Sequence, residues 1–407
     1  MPVYQAQSPD ERRQIVTVSI QDLLPRKISG AFLSGGTMEH IDFMRKALSL
    51  AEKGMGFVSP NPMVGAVIVK NGRIIGSGWH MKYGGLHAER NAFAQCDLQN
   101  IDCTGADLYV TLEPCCHYGK TPPCTEAIIE HGIRRVFIGS PDPNPLVAGK
   151  GVKILREHGI EVTEGILRDE CDALNRIFFH YITTGLPYVT MKYAMTLDGK
   201  IACYTGESKW ITGTEARRDV QVQRLRHSAI MVGVGTVLSD DPMLNCRLEN
   251  GRDPIRIICD SSLRTPIQSN IVRTAKDIPT VIATISADSE RIYEYESHGC
   301  RIIKTSEKNG KVDLRELMTI LGREKIDSVL LEGGAELNWS ALESGIVSGV
   351  LAYISPKIFG GTNAKSPVGG AGVPHPDNAF MPEIISVTRL GEDLLIESRV
   401  KNVYRNS

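Results

Sequence analysis

His87-Ala88-Glu89-Arg90 and, further on, Glu113-Pro114-Cys115-Cys116-His117-Tyr118-Gly119-Lys120-Thr121-Pro122-Pro123-Cys124 decide what the first half of this chain must fold around. One histidine and two cysteines make the three-ligand set of a catalytic zinc site, which keeps a fourth position for water. A water held there is acidified to a pKa near ~7, so a nucleophile is available at neutral pH. A carboxylate must then carry protons, and Glu89 lies close enough to His87 in sequence to face the same water without ligating the metal. A structural zinc site would want a fourth protein ligand and no such carboxylate. His87, Cys115 and Cys124 are therefore the expected metal ligands, with Glu89 as the catalytic acid/base.

Outward from these residues the chain alternates strands and helices, which argues an α/β fold. Ile41, Met44, Ala47, Leu48 and Ala51 fall at helical spacing before the stop at Gly54. The apolar run 64–69, the Asn71-Gly72 turn and the run from Ile74 predict a β-hairpin. A helix is expected over 87–96, a strand over 108–112, a helix over 125–131, a strand over 135–139, a helix over 151–158 and a strand over 160–163. Near Thr183-Thr184-Gly185-Leu186-Pro187 the chain restarts, and a second α/β series opens with a β-rich run over 188–194. Further strands are expected over 229–234, 255–259, 280–284 and 328–331, and helices over 215–227, 314–321 and 335–343. Residues 1–37 show no sustained period and are expected to be a disordered extension, leaving domains at 38–184 and 187–400. No internal repeat or low-complexity tract is visible.

The 407 residues suit two or three domains. With 42% apolar and 23% charged residues the composition is that of an ordinary globular protein. The formal net charge of −1 gives nothing to draw the whole molecule to nucleic acid or an acidic membrane. No apolar run approaches the roughly 18–20 residues of a membrane span, and the N-terminus lacks a signal-peptide pattern, so a cytoplasmic location is expected. Of ten cysteines only the cluster at 115, 116 and 124 looks chemical; the others read as buried small hydrophobes.

H-x-E followed by P-C-x-x-C is the signature of zinc nucleobase deaminases, and this chain departs from it in one respect. Eight residues separate Cys115 from Cys124 instead of two, so the loop 117–123 must bulge between the ligands. Pro-Cys-x-His-x-Gly-Lys-Thr-Pro-Pro-Cys after His-Ala-Glu resembles the deaminase domain of the bacterial riboflavin-biosynthesis deaminase/reductase family. Asn61-Pro62-x-Val64-Gly65-Ala66, Gly78-Trp79-His80 and Asp142-Pro143-Asn144-Pro145 fit as well. The resemblance implies a cytidine-deaminase-like three-layer α/β/α domain. It also implies a substrate pocket lined by Asn61, His80, His117, Lys120, Asp142 and Asn144, with Lys120 toward a phosphate. The family places a small residue where Cys116 stands, so Cys116 is not expected to ligate.

In the second half, Gly233-Val234-Gly235 follows a strand but lacks the third glycine of a dinucleotide fingerprint. Leu331-Glu332-Gly333-Gly334 ends a strand and opens a helix, where bare backbone amides can hold a phosphate. Arg224 and Arg247 could grip a second one. Together with Met191-Lys192-Tyr193-Ala194, Lys209-Trp210, Thr236 and Asp240-Asp241-Pro242-Met243-Leu244, these pieces resemble the reductase domain of the same family, similar in fold to dihydrofolate reductase. The resemblance implies NADPH contacts at Ala194, Trp210, Thr236, Asp240, Ser262 and Gly334. It implies contacts to a ribosyl phosphate at Ser208, Arg224, Leu244, Arg247 and Glu332, with Lys192 and Asp198 as candidates for proton delivery or positioning.

The implied enzyme is bifunctional: zinc-dependent deamination of a pyrimidine ribosyl phosphate, then NADPH-dependent reduction of its sugar, in a homo-oligomer built through the reductase half. The competing readings are another pyrimidine deaminase fused to a folate-type reductase, and a protein with one half kept only as a scaffold. Neither the neutral charge nor the intact His87, Glu89, Cys115 and Cys124 favours them.

Overall fold

The computed structural model describes residues 39–401, so the expectation for residues 1–37 lies outside the described residues. The first half runs α1 (His40–Ala51), β1 (Gly65–Lys70), β2 (Arg73–Trp79), α2 (Ala88–Leu98), β3 (Asp107–Leu112), α3 (Cys124–Glu130), β4 (Arg135–Ser140), α4 (Lys150–Glu157), β5 (Glu161–Glu164), α5 (Arg168–Leu174) and α6 (Arg176–Thr184). The strands form one sheet in the order β2-β1-β3-β4-β5. Asn71 and Gly72 both take positive φ, 52° and 72°, which matches the twist of a two-residue hairpin and pairs Lys70 with Arg73. β1 is antiparallel to β2 and β3, while β3, β4 and β5 are parallel and need the crossovers that α3 and α4 supply.

Both faces of this sheet are covered. Ala66 and Ile68 of β1 pack with Ala92 and Phe93 of α2, Ile128 of α3 and Leu155 of α4. Val67 and Val69, pointing the other way, pack with Phe43 and Met44 of α1 and Leu174 of α5. The result is three layers, α/β/α.

The second half runs β6 (Tyr188–Thr196), α7 (Thr214–Arg226), β7 (Ala229–Gly233), α8 (Val234–Asp240), β8 (Ile255–Cys259), α9 (Asn270–Arg273), β9 (Thr280–Thr284), α10 (Ser289–Ser297) and β10 (Arg301–Lys304). There follow the small hairpin β11 (Glu307–Lys308) and β12 (Lys311–Val312), then α11 (Leu314–Arg323), β13 (Ser328–Leu331), α12 (Ala335–Glu343), β14 (Val347–Ser355), β15 (Glu383–Leu390) and β16 (Asp393–Arg399). Nine strands form a sheet in the order β10-β9-β8-β7-β13-β6-β14-β16-β15. From β10 to β14 all neighbours are parallel; β16 and β15 close the sheet antiparallel. Leu317 and Met318 of α11 with Ala341 of α12 cover one face, and Val237 of α8, Ile271 of α9 and Tyr295 of α10 the other.

Several element bounds lie one or two residues from the sequence reading, and one of these shifts bears on the site. Val234 does not end a strand: Gly233 is the N-cap and Val234 opens α8, because Val234 and Val237 both bury their side chains against the sheet. The carboxyl ends of β7, β13 and β6 thus lie beside the starts of α8 and α12, the usual place for a ligand in a parallel α/β sheet.

Candidate functional site

His87 is the N-cap of α2 and Cys124 the first residue of α3, while Cys115 follows the end of β3. The two adjacent helices and the central strand bring the three side chains together. His87 Nδ1 lies 3.4 Å from each sulfur, and the ligand atoms all fall within 4.8 Å of one another. Two thiols and an imidazole this close fit a zinc ion with three protein ligands. The hydrogen bond from Cys124, and then His87 beside it, hold the Cys115 thiol down at about 4, so a thiolate is already favoured there. Glu89, in the first turn of α2, is only 3% exposed. Burial, followed by the negative charge at Cys115, raises its carboxyl above the ordinary range. Cys116 points away, its sulfur 3.8 Å from the Leu146 carbonyl.

The residues expected to line the substrate pocket fall into three groups. His80 donates from Nδ1 to the Leu86 carbonyl (3.0 Å), which leaves Nε2 to accept from Asn61 Nδ2 at 3.2 Å. Burial lowers the pKa of His80, and its ring stands edge-on to His87 at 5.4 Å. His117 and Lys120 lie on the loop between the cysteines. His117 Nδ1 is buried without a hydrogen-bond partner, and Lys120 Nζ sits 4.0 Å from the centre of the Tyr83 ring. Asp142 and Asn144 lie after β4. Their side chains accept from the Asn144 and Leu146 amides at 2.8 and 3.1 Å, and burial lifts the Asp142 carboxyl to about 6.

Two residues that spacing does not single out hold the loops that carry these side chains. Glu113 is buried and accepts from the amides of Gly149 (3.0 Å), Gly151 (3.1 Å), Val152 (3.3 Å) and Asp142 (3.4 Å), so one carboxylate fixes both ends of the 142–151 loop. Arg90 donates to the Pro122 and Pro123 carbonyls at 3.0 and 2.7 Å and pins the loop between the cysteines. Their partners are backbone groups, which leave no mark in a motif. The only signal is that each adjoins a ligand-bearing segment.

In the second half Glu332, just past β13, is the centre of a buried cluster. Arg224 of α7 donates to both its oxygens, at 2.8 and 3.1 Å, and Lys192 of β6 reaches it at 3.2 Å. Burial alone would raise the Glu332 carboxyl, but Arg224 and Lys192 more than offset it and hold it well below the usual range. Arg224 Nη1 also donates to the Asn245 carbonyl at 3.0 Å, which ties in the segment carrying Leu244 and Arg247. Leu244 is buried with φ 51°, and Arg247 is exposed beside it.

Thr236, in the first turn of α8, faces Gly334, the N-cap of α12; a Cβ on Gly334 would meet only Thr236 Oγ1, at 3.9 Å. A Cβ on Gly235 would meet nothing within 4 Å. Open space against bare glycine backbone at a helix start fits a dinucleotide phosphate. Trp210, on the loop after β6, lies 60% exposed with the Arg217 guanidinium 4.6 Å from its ring centre. Ala194 is half-buried on β6 and Ser208 half-buried on the following loop. Asp240 and Ser262 stand exposed after β7 and β8. Asp198 accepts from Thr196 Oγ1 (2.5 Å) and from the Phe359 and Gly360 amides (3.1 and 2.7 Å), contacts that hold it down at about 2. Both its oxygens anchor the 356–361 loop, so of its two candidate roles the geometry favours positioning.

Residues 37–140 match the family described as cytidine and deoxycytidylate deaminase zinc-binding region, and residues 187–396 match the RibD C-terminal domain. The riboflavin biosynthesis protein RibD of Actinobacillus pleuropneumoniae is 56% identical over 361 residues, covering 89% of this chain and 95% of that protein. That of Bacillus amyloliquefaciens is 41% identical, covering 89% and 99%. Among solved structures, a diaminohydroxyphosphoribosylaminopyrimidine deaminase/5-amino-6-(5-phosphoribosylamino)uracil reductase from Thermotoga maritima shares 40% identity at a TM-score of 0.78, covering 88% of this chain and 98% of that one. Acinetobacter baumannii RibD shares 36% at a TM-score of 0.78, covering 89% and 99%. With both halves matched in order along the chain, this protein belongs to the RibD family, the bifunctional deaminase/reductases of riboflavin biosynthesis.

Proposed function

We propose that the first half, 38–184, hydrolyses the 2-amino group of 2,5-diamino-6-(5-phosphoribosylamino)pyrimidin-4(3H)-one, and that the second, 187–400, reduces the sugar of the deaminated product to 5-amino-6-(5-phosphoribitylamino)uracil. The observation that carries the reading is the convergence of His87, Cys115 and Cys124 around the buried Glu89. His87, Cys115 and Cys124 would hold zinc, which would supply Lewis acidity to a water at the open position. Glu89 takes a proton from the attacking water and delivers protons to the ring nitrogen and to the departing ammonia. Asn61, His80 and His117 orient the pyrimidine, Asp142 and Asn144 shape the wall opposite, and Lys120 faces the phosphate.

NADPH supplies the hydride in the second half. Ala194, Trp210, Thr236, Asp240, Ser262 and Gly334 would hold it, and the open glycine backbone at Gly235 and Gly334 leaves room for a phosphate. Ser208, Leu244 and Arg247 bind the ribosyl phosphate, and Glu332 keeps Arg224 and Lys192 aimed at it. The exposed apolar residues Ile384, Ile385 and Val387 on edge strand β15 support self-association through this half. No helix among the described residues is long and apolar enough to cross a membrane. We place the enzyme in the cytoplasm, with a small-molecule substrate and no nucleic-acid partner.

The test is a coupled assay on zinc-loaded protein with the diaminopyrimidine ribosyl phosphate, following NADPH absorbance. NADPH consumption is expected to stop on chelation and return when the deaminated intermediate is supplied. No consumption from either substrate would overturn the reductase half of the reading.

A further inference from the structure

The two sites share a physical boundary. The loop after α1, which ends at Asn61, is pressed against the end of α7 and the segment 246–252. Gly56 has φ +78°, and a Cβ there would lie 2.6 Å from both Leu225 Cδ1 and the Leu225 carbonyl, so glycine lets the halves meet at this distance. Phe57 packs on Leu225, Cys246 and Leu248. Arg252 crosses the boundary: Nε donates to the Gly56 carbonyl at 2.7 Å and Nη2 to the His227 carbonyl at 3.3 Å.

From Gly56 the contacts continue into the deaminase pocket. The Phe57 carbonyl accepts from the Tyr83 amide at 2.9 Å, and the Tyr83 ring carries Lys120. The Asn61 amide closes the loop on Val58 at 2.8 Å, and the Asn61 side chain meets His80. On the reductase side Asp253, next in sequence, accepts from the Cys246 amide at 2.8 Å and so fixes the segment that binds Arg224. Two consecutive residues thus anchor one substrate loop in each half.

We propose that Arg252, a residue of the reductase half, is a positioning residue for the deaminase pocket: it holds the loop 54–61, and through it Asn61, His80 and the Tyr83–Lys120 pair. The proposal rests on reading Asn61, His80 and Lys120 as substrate-facing. A charge-assisted hydrogen bond to a carbonyl in a half-buried setting fixes a loop far more firmly than an exposed contact does. The deaminase of this chain is therefore completed by its own reductase half.

The test uses the full zinc-loaded chain. Ammonia release is measured against diaminopyrimidine ribosyl phosphate concentration, with NADPH oxidation on the already deaminated substrate in parallel. Arg252→Ala and Gly56→Ala, acting from opposite sides of the contact, are expected to raise KM for deamination about tenfold with kcat within about twofold, while zinc content holds and KM for reduction moves less than about threefold. Arg252→Lys, which keeps the charge but loses the fork, should fall between. An unchanged deamination KM in Arg252→Ala overturns the proposal, as does parallel loss of both activities and of zinc, which marks a merely structural role. Asn61→Ala separates the two readings: if it leaves KM unchanged the pocket assignment fails, and if it raises KM while Arg252→Ala does not, the positioning role alone fails.

Discussion

Glu89 and Cys124 both sit in first turns of helices that meet at the metal site, yet they answer different questions. Glu89→Gln keeps the shape of a buried side chain and removes only its ability to carry protons. Deamination is expected to fall by about 10²–10⁴-fold while zinc content and reduction of the deaminated intermediate persist; normal deamination would refute the acid/base role. Cys124→Ala should instead lose the metal, which elemental analysis of the purified variant reads directly. In the other half, Arg224→Lys gives up the two-pronged contact to Glu332 and the bond to Asn245, and is expected to raise KM for reduction about tenfold with deamination intact. The convergence of His87, Cys115 and Cys124 beside Glu89 was legible in the sequence because metal chemistry demands those residue types, even with a longer loop between the cysteines. Glu113, Arg90 and Arg252 were not, because each serves a backbone carbonyl or amide that only the fold brings near.

The 142–151 loop shows how an element is set by one side chain. Glu113 stands at the end of β3, directly before the Pro114-Cys115 turn, and ties that turn to the start of α4. Gly151 has to be small, since a Cβ would lie 2.2 Å from the Pro114 carbonyl. Glu113→Ala leaves several buried amides without a partner and should cost about 1–3 kcal/mol in a urea titration, with KM for deamination raised more than kcat is lowered. Unchanged stability and KM would show that the loop holds its own shape. At this scale the sequence was most legible where turn chemistry is strict. Asn71-Gly72 marks the first hairpin, and Gly132 and Gly159, both at positive φ, close α3 and α4. It was least legible at β15, where Ile385 and Val387 are exposed while Ser386 and Thr388 between and beside them are half-buried, so apolar residues do not mark the inner face. α10 carries its own signal in Asp288, which caps the Glu290 and Arg291 amides, but the helix is too polar for an apolar stripe to announce it.

Across the whole molecule, the junction between the halves holds histidines that folding keeps neutral. His227, at the end of α7, is 2% exposed, with Nδ1 on the Gln223 carbonyl and Nε2 on Thr190 Oγ1, both at 2.8 Å. Burial first, then the neighbouring Arg226 and Arg176, bring it from an ordinary 6.5 down to about 4. His180 of α6 is likewise pushed to about 4 by burial. Below pH 6.5 the unfolded chain takes up protons that the native chain refuses until about pH 4, so this contribution to stability is complete above 6.5 and shrinks as the pH falls toward 4. Each unit of that window is worth roughly 1.4 kcal/mol per histidine, so His227 alone should account for about 2 kcal/mol of the loss between pH 7.5 and 5. Urea midpoints at those two pH values check this. His227→Gln is expected to be less stable than the wild type at pH 7.5 but to lose less on acidification. Because acid also strips the zinc ligands in both proteins, the difference between them isolates the histidine. Identical losses in both would mean that His227 takes up its proton in the folded state, and that the junction is open to water.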